Sequence, residues 1–147
     1  MAILDTTKKK FVIDTNDNIY TGIDLPFRLG GAEGYFASTR TTIEAIKNDI
    51  ANLLLTNTGE RVMQPTLGLN LRRYLFQQLN SETIEEMKLH ITNSISEWLP
   101  FVNIASLNII IDRETNSLIV SLQFTVNGDN TTYDTLNVGV GELQYDE

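Results

Sequence analysis

Glu60 and Arg61 stand side by side in the stretch Gly59–Phe76, GERVMQPTLGLNLRRYLF, and an acid beside a base invites a search for proton chemistry. The enzyme class that demands least is a glycosidase, which needs two carboxyl groups at a suitable separation, one kept protonated by an apolar or crowded site. Glu60 is the candidate acid, with Asp112 or Asp134 as candidate partner. Two arguments weigh against it. Among 19 Asp and Glu residues some pair always looks suitable, and the neighbouring Arg61 lowers a carboxyl pKa if the side chains meet. His90, the single histidine, sits between Leu89 and Ile91, with no cysteine and no second histidine in the chain to complete a zinc site. It reads as a solvated or partly packed histidine. Nucleophile elbows and phosphate-binding or dinucleotide-binding glycine motifs are missing, and the pairs Gly30, Gly31 and Gly139, Gly141 read as turns and a bulge. The expectation is therefore no catalytic residue, no cofactor and no metal.

Composition points the same way. A chain of 147 residues suits one domain with a sizeable core, and 41% hydrophobic with 20% charged residues is ordinary for a folded protein. A formal charge of −8 disfavours nucleic acid, whose backbone is bound by displacing counterions with Lys and Arg. Without cysteine there is no disulfide framework, which fits folding in a reducing compartment. The N-terminal MAILDTTKKK lacks the apolar core of a signal peptide, and no run is long and apolar enough to span a bilayer. The expected partners are proteins, with no nucleic acid and no membrane.

The elements that must position these residues follow from periodicity. Residues 1–40 carry Lys8, Lys9 and Lys10 and several glycines, and read as an extended N-terminal segment in which Leu25, Phe27 and Phe36 pin an irregular strand onto the domain. Thr41 followed by Glu44 is a capping box, and Ile43, Ile46, Ile50, Leu53 and Leu54 recur at helical spacing to about Leu55. Asn57 and Gly59 are the stop. A second helix takes Ser81 as cap, Glu82, Glu85 and Glu86 in its first turn, and Ile84, Met87, Ile91, Ile95 and Trp98 as its stripe, with Pro100 ending it. The period then changes to two. Leu107, Ile109 and Ile111, then Leu118 to Val126 after the turn RETNS, form a hairpin, and NGDN leads to a third strand over Tyr133 to Val140. The fold class is α+β: two main helices and a short one packed on a small antiparallel C-terminal meander, with residues 41–147 as a single domain.

A helix ending in LLLTNTGERVMQPTLGLNLRRYLF, then a helix, a proline and a β-hairpin, resembles the sheath-initiator or baseplate wedge family of contractile-tailed phages, which has relatives in type VI secretion. The matching signature is Gly59, Arg61, Pro65, Gly68, Leu71, Leu75 and Phe76, with GIDLPFRL and GYFAST upstream. The resemblance implies structural work in a virion tail baseplate assembled in the host cytoplasm. Several copies per baseplate would be held by the core bundle of the wedge proteins, and the tail sheath protein would assemble on them. Sheath strands could add to an open sheet edge. The family's lysozyme-like label marks no catalytic pair in this motif.

One departure affects the grip on the wedge. Where many members have Glu-Pro-Arg between the long helix and the first strand, this chain has Leu99, Pro100 and Phe101, so a charge-assisted clamp is in doubt. Leu99 and Phe101 either fill the core, the reading favoured because a helix-to-strand corner normally needs apolar filling, or form an apolar anchor for the wedge protein. Within Gly59–Phe76 the glycines shape turns, Pro65 stiffens the loop, and Leu71, Leu75 and Phe76 form one face of a short helix. Arg61, Arg72 and Arg73 are left as the basic group for a partner's acids.

Overall fold

The first long helix, α1 (Thr42–Leu55), starts with its donors capped from two directions. Thr41 Oγ1 accepts the Glu44 N–H at 3.3 Å, half of the expected capping box. Buried Asp14 takes both the N–H and the hydroxyl of Thr42, at 2.9 and 2.7 Å. That second cap comes from far upstream, so local spacing does not reveal it.

The computed structural model describes residues 11, 14, 16, 19–24, 27–29, 35–77, 80–112, 117–126 and 134–141. Lys8, Lys9, Lys10, Leu25, Gly30, Gly31, Tyr133 and the residues 113–116 and 127–130, expected from the sequence to form turns, lie outside them. The chain divides into two compact units, Met1–Asp49 and Ile50–Glu147.

In the first unit β1 (Gly22–Ile23) and β2 (Ser38–Thr39) pair antiparallel. The Thr21 hydroxyl braces the ribbon by donating to the Thr39 carbonyl at 3.2 Å, and the Asn48 amide of α1 reaches the Ile23 carbonyl at 3.3 Å. Phe27 and Phe36 are the described members of the set expected to pin this segment onto the domain. Their rings meet each other, centroids 5.7 Å apart and tilted by 58°, and both stay exposed.

The second unit carries α2 (Ser81–Trp98), which packs against the sheet strand β3. Asn80, rather than Ser81, is its N-cap: extended at φ −92° and ψ 174°, it accepts the Thr83 N–H at 2.9 Å. Ser81 thereby becomes the first helical residue, which leaves Glu82 as the acid of the first turn. Met87, Ile91 and Ile95 are the buried centre of the stripe, with Ile84 and Trp98 half-buried at its ends.

The sheet is the meander β3 (Val102–Asp112), β4 (Ser117–Val126) and β5 (Asp134–Val140), antiparallel throughout with β4 in the middle. Leu107, Leu122 and Leu136 form one cross-strand row, Ile109, Val120 and Val138 the next, and Ile111, Leu118 and Val140 a third. These rows make one apolar face. Strand β3 begins earlier than its alternation suggests, because a bulge between Ile104 and Ser106 shifts the register. Val102 and Ile104 precede the bulge and Leu107 follows it, so the apolar parity switches at Ala105.

Candidate functional site

The stretch after α1 is built from three hydrogen-bonded turns. Glu60 N–H donates to the Asn57 carbonyl at 3.1 Å, Gln64 N–H to Arg61 at 3.2 Å, and Leu67 N–H to Gln64 at 3.2 Å. Gly59, at φ 89°, supplies the left-handed residue of the first turn. Asn57 instead donates its N–H to the Glu60 carboxylate at 2.9 Å. The loop is then closed across its width. Gly59 N–H reaches the Pro65 carbonyl at 2.8 Å, Thr58 Oγ1 reaches Gly68 at 3.0 Å, and Leu69 N–H reaches Thr56 at 3.0 Å. Gly68 is required at that neck: at φ 109°, a Cβ there would lie 2.5 Å from the Thr56 carbonyl oxygen.

Asn70, in the left-handed region at φ 51°, leads into a 3-10 helix, Leu71–Phe76. Three residues per turn stack Leu71 on Tyr74, and with Leu69 these are the side chains that reach the core. Phe76 does not join them as expected. It is 90% exposed, because the tighter helix turns it away from the face that an α-helical spacing assigns it. Leu75 is half-buried.

The three arginines differ. Arg73 is held by its neighbour, its guanidinium carbon 4.7 Å from the centroid of the Tyr74 ring and its Nη2 donating to Tyr74 Oη at 2.8 Å. Arg61 and Arg72 are exposed and find no side-chain partner among the described residues. Between Arg61 and Gln64 lie the residues that sequence reasoning passed over. Val62 and Met63 occupy the two central positions of their turn and are 94% and 92% exposed. Their signal was available: turn centres favour Gly, Pro, Asn, Asp and Ser, so two large apolar residues there are out of place.

The corner between α2 and β3 is also a turn. Leu99 N–H closes the helix on the Ile95 carbonyl at 2.8 Å, and Val102 N–H closes the turn on Leu99 at 2.9 Å. Pro100 and Phe101 therefore take the central positions; Pro100 is exposed, while Phe101, 36% exposed, and Leu99, half-buried, are each partly covered. The expected core filling by Leu99 and Phe101 is corrected accordingly, and Val102 is the buried residue of the corner.

The two candidate partners of Glu60, Asp112 and Asp134, lie far from each other. Asp112 lies opposite Ser117 and Asp134 opposite Phe124, at opposite ends of β4. Seven residue steps along the strand set these positions about 23 Å apart, so at most one of the two carboxyls could share a site with Glu60 at the roughly 5–10 Å spacing of a glycosidase pair. Glu60 is an exposed brace of its own loop. Asp49, on α1, has its carboxyl pushed above the ordinary range by partial desolvation. Among the described residues no group of three or more His, Cys, Asp or Glu is placed to hold a metal, and Nδ1 of His90 is buried without a hydrogen-bond partner. No helix among them is long and apolar enough to cross a membrane.

Comparison with known proteins completes the description. The protein is 23% identical over 110 residues to baseplate wedge protein gp25 of Enterobacteria phage T4, covering 75% of this chain and 82% of that one. Among solved structures, a protein named as a tail lysozyme from Geobacter sulfurreducens superposes with a TM-score of 0.60 at 24% identity, over 69% of this chain and 91% of the other. A chain of the anti-feeding prophage baseplate superposes with a TM-score of 0.55 at 18% identity, over 84% and 86%. At these identities the two structures establish the shared α+β fold, and the word lysozyme belongs to the name of the first protein alone. The family model described as baseplate wedge protein gp25 matches residues 40–131, from the start of α1 past the end of β4. With more than half of its length matched, this chain belongs to the baseplate wedge protein gp25 family.

Proposed function

We propose that this chain is a structural, non-enzymatic subunit of a contractile-tail baseplate, present in several copies in the virion, held by other wedge proteins, and that it starts sheath assembly by accepting sheath strands on its sheet. The observation that carries the reading is the three-stranded meander, in which β3 and β5 are each paired on one side only among the described residues. Unpaired N–H and C=O groups along such an edge form a template for a strand from another chain. Strand β5 offers the more regular edge, since its seven pairs with β4 run without a register shift, whereas β3 carries its bulge. Its outward residues Thr135, Asn137 and Gly139 are polar or small and leave room for an incoming strand.

Polar grip on the wedge falls to Arg61 and Arg72, the arginines without a side-chain partner among the described residues, while Arg73 is engaged by Tyr74. Leu99, Pro100 and Phe101 form an apolar corner for the same neighbour. The test is sheath polymerisation from purified components. Adding this chain, mounted on wedge proteins, shortens the lag of sheath assembly; an unchanged lag contradicts the reading. The rival enzyme reading is decided by peptidoglycan clearing, which would have to be present in the intact chain and lost in Glu60→Gln.

A further inference from the structure

Val62 and Met63 are the largest apolar side chains on the tip of the turn-built loop, more than nine-tenths exposed, and the loop's own hydrogen bonds make no use of them. The backbone beneath them is fastened at both levels, by Gly59 to Pro65 midway and by Leu69 to Thr56 at the neck. Little conformational entropy would remain to be lost there on binding. Arg61 flanks them without a side-chain partner among the described residues, on a chain whose formal charge is −8. A cation next to an exposed apolar pair is complementary to an apolar pocket rimmed by carboxylates.

We propose that the tip Arg61–Val62–Met63 is a plug that inserts into such a pocket on a neighbouring baseplate protein, as a contact separate from the sheet edge and from the Leu99–Phe101 corner. Val62 and Met63 fill the pocket, and Arg61 pairs with its acidic rim. The proposal rests on the reading that the chain works inside a baseplate. A protein pocket suits the tip better than a lipid surface, because an anionic bilayer repels the strongly acidic remainder of the chain.

The chain has no cysteine, so Met63→Cys introduces its only thiol. Alkylation by a polar maleimide, read as a mass shift of this chain after denaturation, is compared between the isolated full chain and purified assembled baseplates. Labelling at least about tenfold slower in the baseplate is expected, as for a side chain moved into a desolvated interface centre. Equal rates overturn the proposal. So does protection of the isolated chain by phosphatidylglycerol vesicles, or by its own self-association at high concentration, without protection in baseplates. Absence of the chain from purified baseplates would instead overturn the parent reading. A second arm uses the double substitution V62S/M63S in competition with the unmodified chain during assembly. An at least about tenfold bias against incorporation, with the thermal midpoint unchanged, is expected; equal incorporation contradicts the proposal.

Discussion

The neck and the tip of the loop between α1 and the 3-10 helix are made of neighbouring residues, yet they answer to different constraints. At the neck, Thr56, Gly68 and Leu69 are buried and joined by backbone hydrogen bonds, and Gly68 has no room for a methyl group. At the tip, Arg61, Val62 and Met63 touch little of their own chain. The contrast separates what the fold requires from what it presents outward. A motif that looks like one signature is a structural clasp carrying an exposed cargo.

Substitutions should grade along this axis. Gly68→Ala is expected to be the most damaging, costing about 3 kcal/mol or more, since it combines an unfavourable positive φ with a backbone clash. That loss would lower the midpoint of thermal unfolding by roughly 9 °C for a domain of this size. Gly59→Ala shares the positive φ but meets nothing within 4 Å, so about 1 kcal/mol is expected. A Gly59 cost equal to that of Gly68 would break the distinction between strain and clash. Glu60→Gln keeps an acceptor for the Asn57 N–H and should cost under about 0.5 kcal/mol in the same unfolding measurement. At the tip, the V62S/M63S double substitution should leave stability within about 0.5 kcal/mol.

A smaller effect is expected on α1, where Asp49 has its folded-state pKa raised by desolvation. A raised carboxyl pKa means that the charged form is disfavoured in the fold. The resulting penalty is full above the folded-state pKa and disappears as pH falls below the unfolded value, roughly 3.9. Asp49→Asn should therefore be slightly more stable than the unmodified chain at neutral pH. That advantage should vanish at low pH, as followed by thermal unfolding across a pH series.

Legibility in the sequence followed the range of the interaction. Both long helices and the alternation of β4 were plain because each depends on a periodic local pattern, and Leu118, Val120, Leu122 and Phe124 are all fully buried. The start of β3 was hidden because the bulge before Ser106 inverts the apolar parity in mid-strand. Helix starts were recovered to within a residue, but Asn80 took the cap from Ser81, and Asp14 joined the cap of α1 from a distant segment. The site was less legible. Phe76 reads inward from its place in the motif, yet a 3-10 turn leaves it exposed, and Phe101 at the centre of a β-turn is only partly covered, geometries that residue type alone does not announce. The separate engagement of Arg73 depends on the Tyr74 hydroxyl lying within reach, which is a property of the folded chain.

The central claim is that the sheet of this subunit accepts a strand from the sheath. A density map of the assembled tail, resolved well enough to trace strands, tests it most directly. The account predicts a sheath segment hydrogen-bonded along the outer edge of β5, extending the three-stranded sheet to four. A map in which the first sheath ring meets this subunit only through side chains, with both outer strands unpaired, would contradict it.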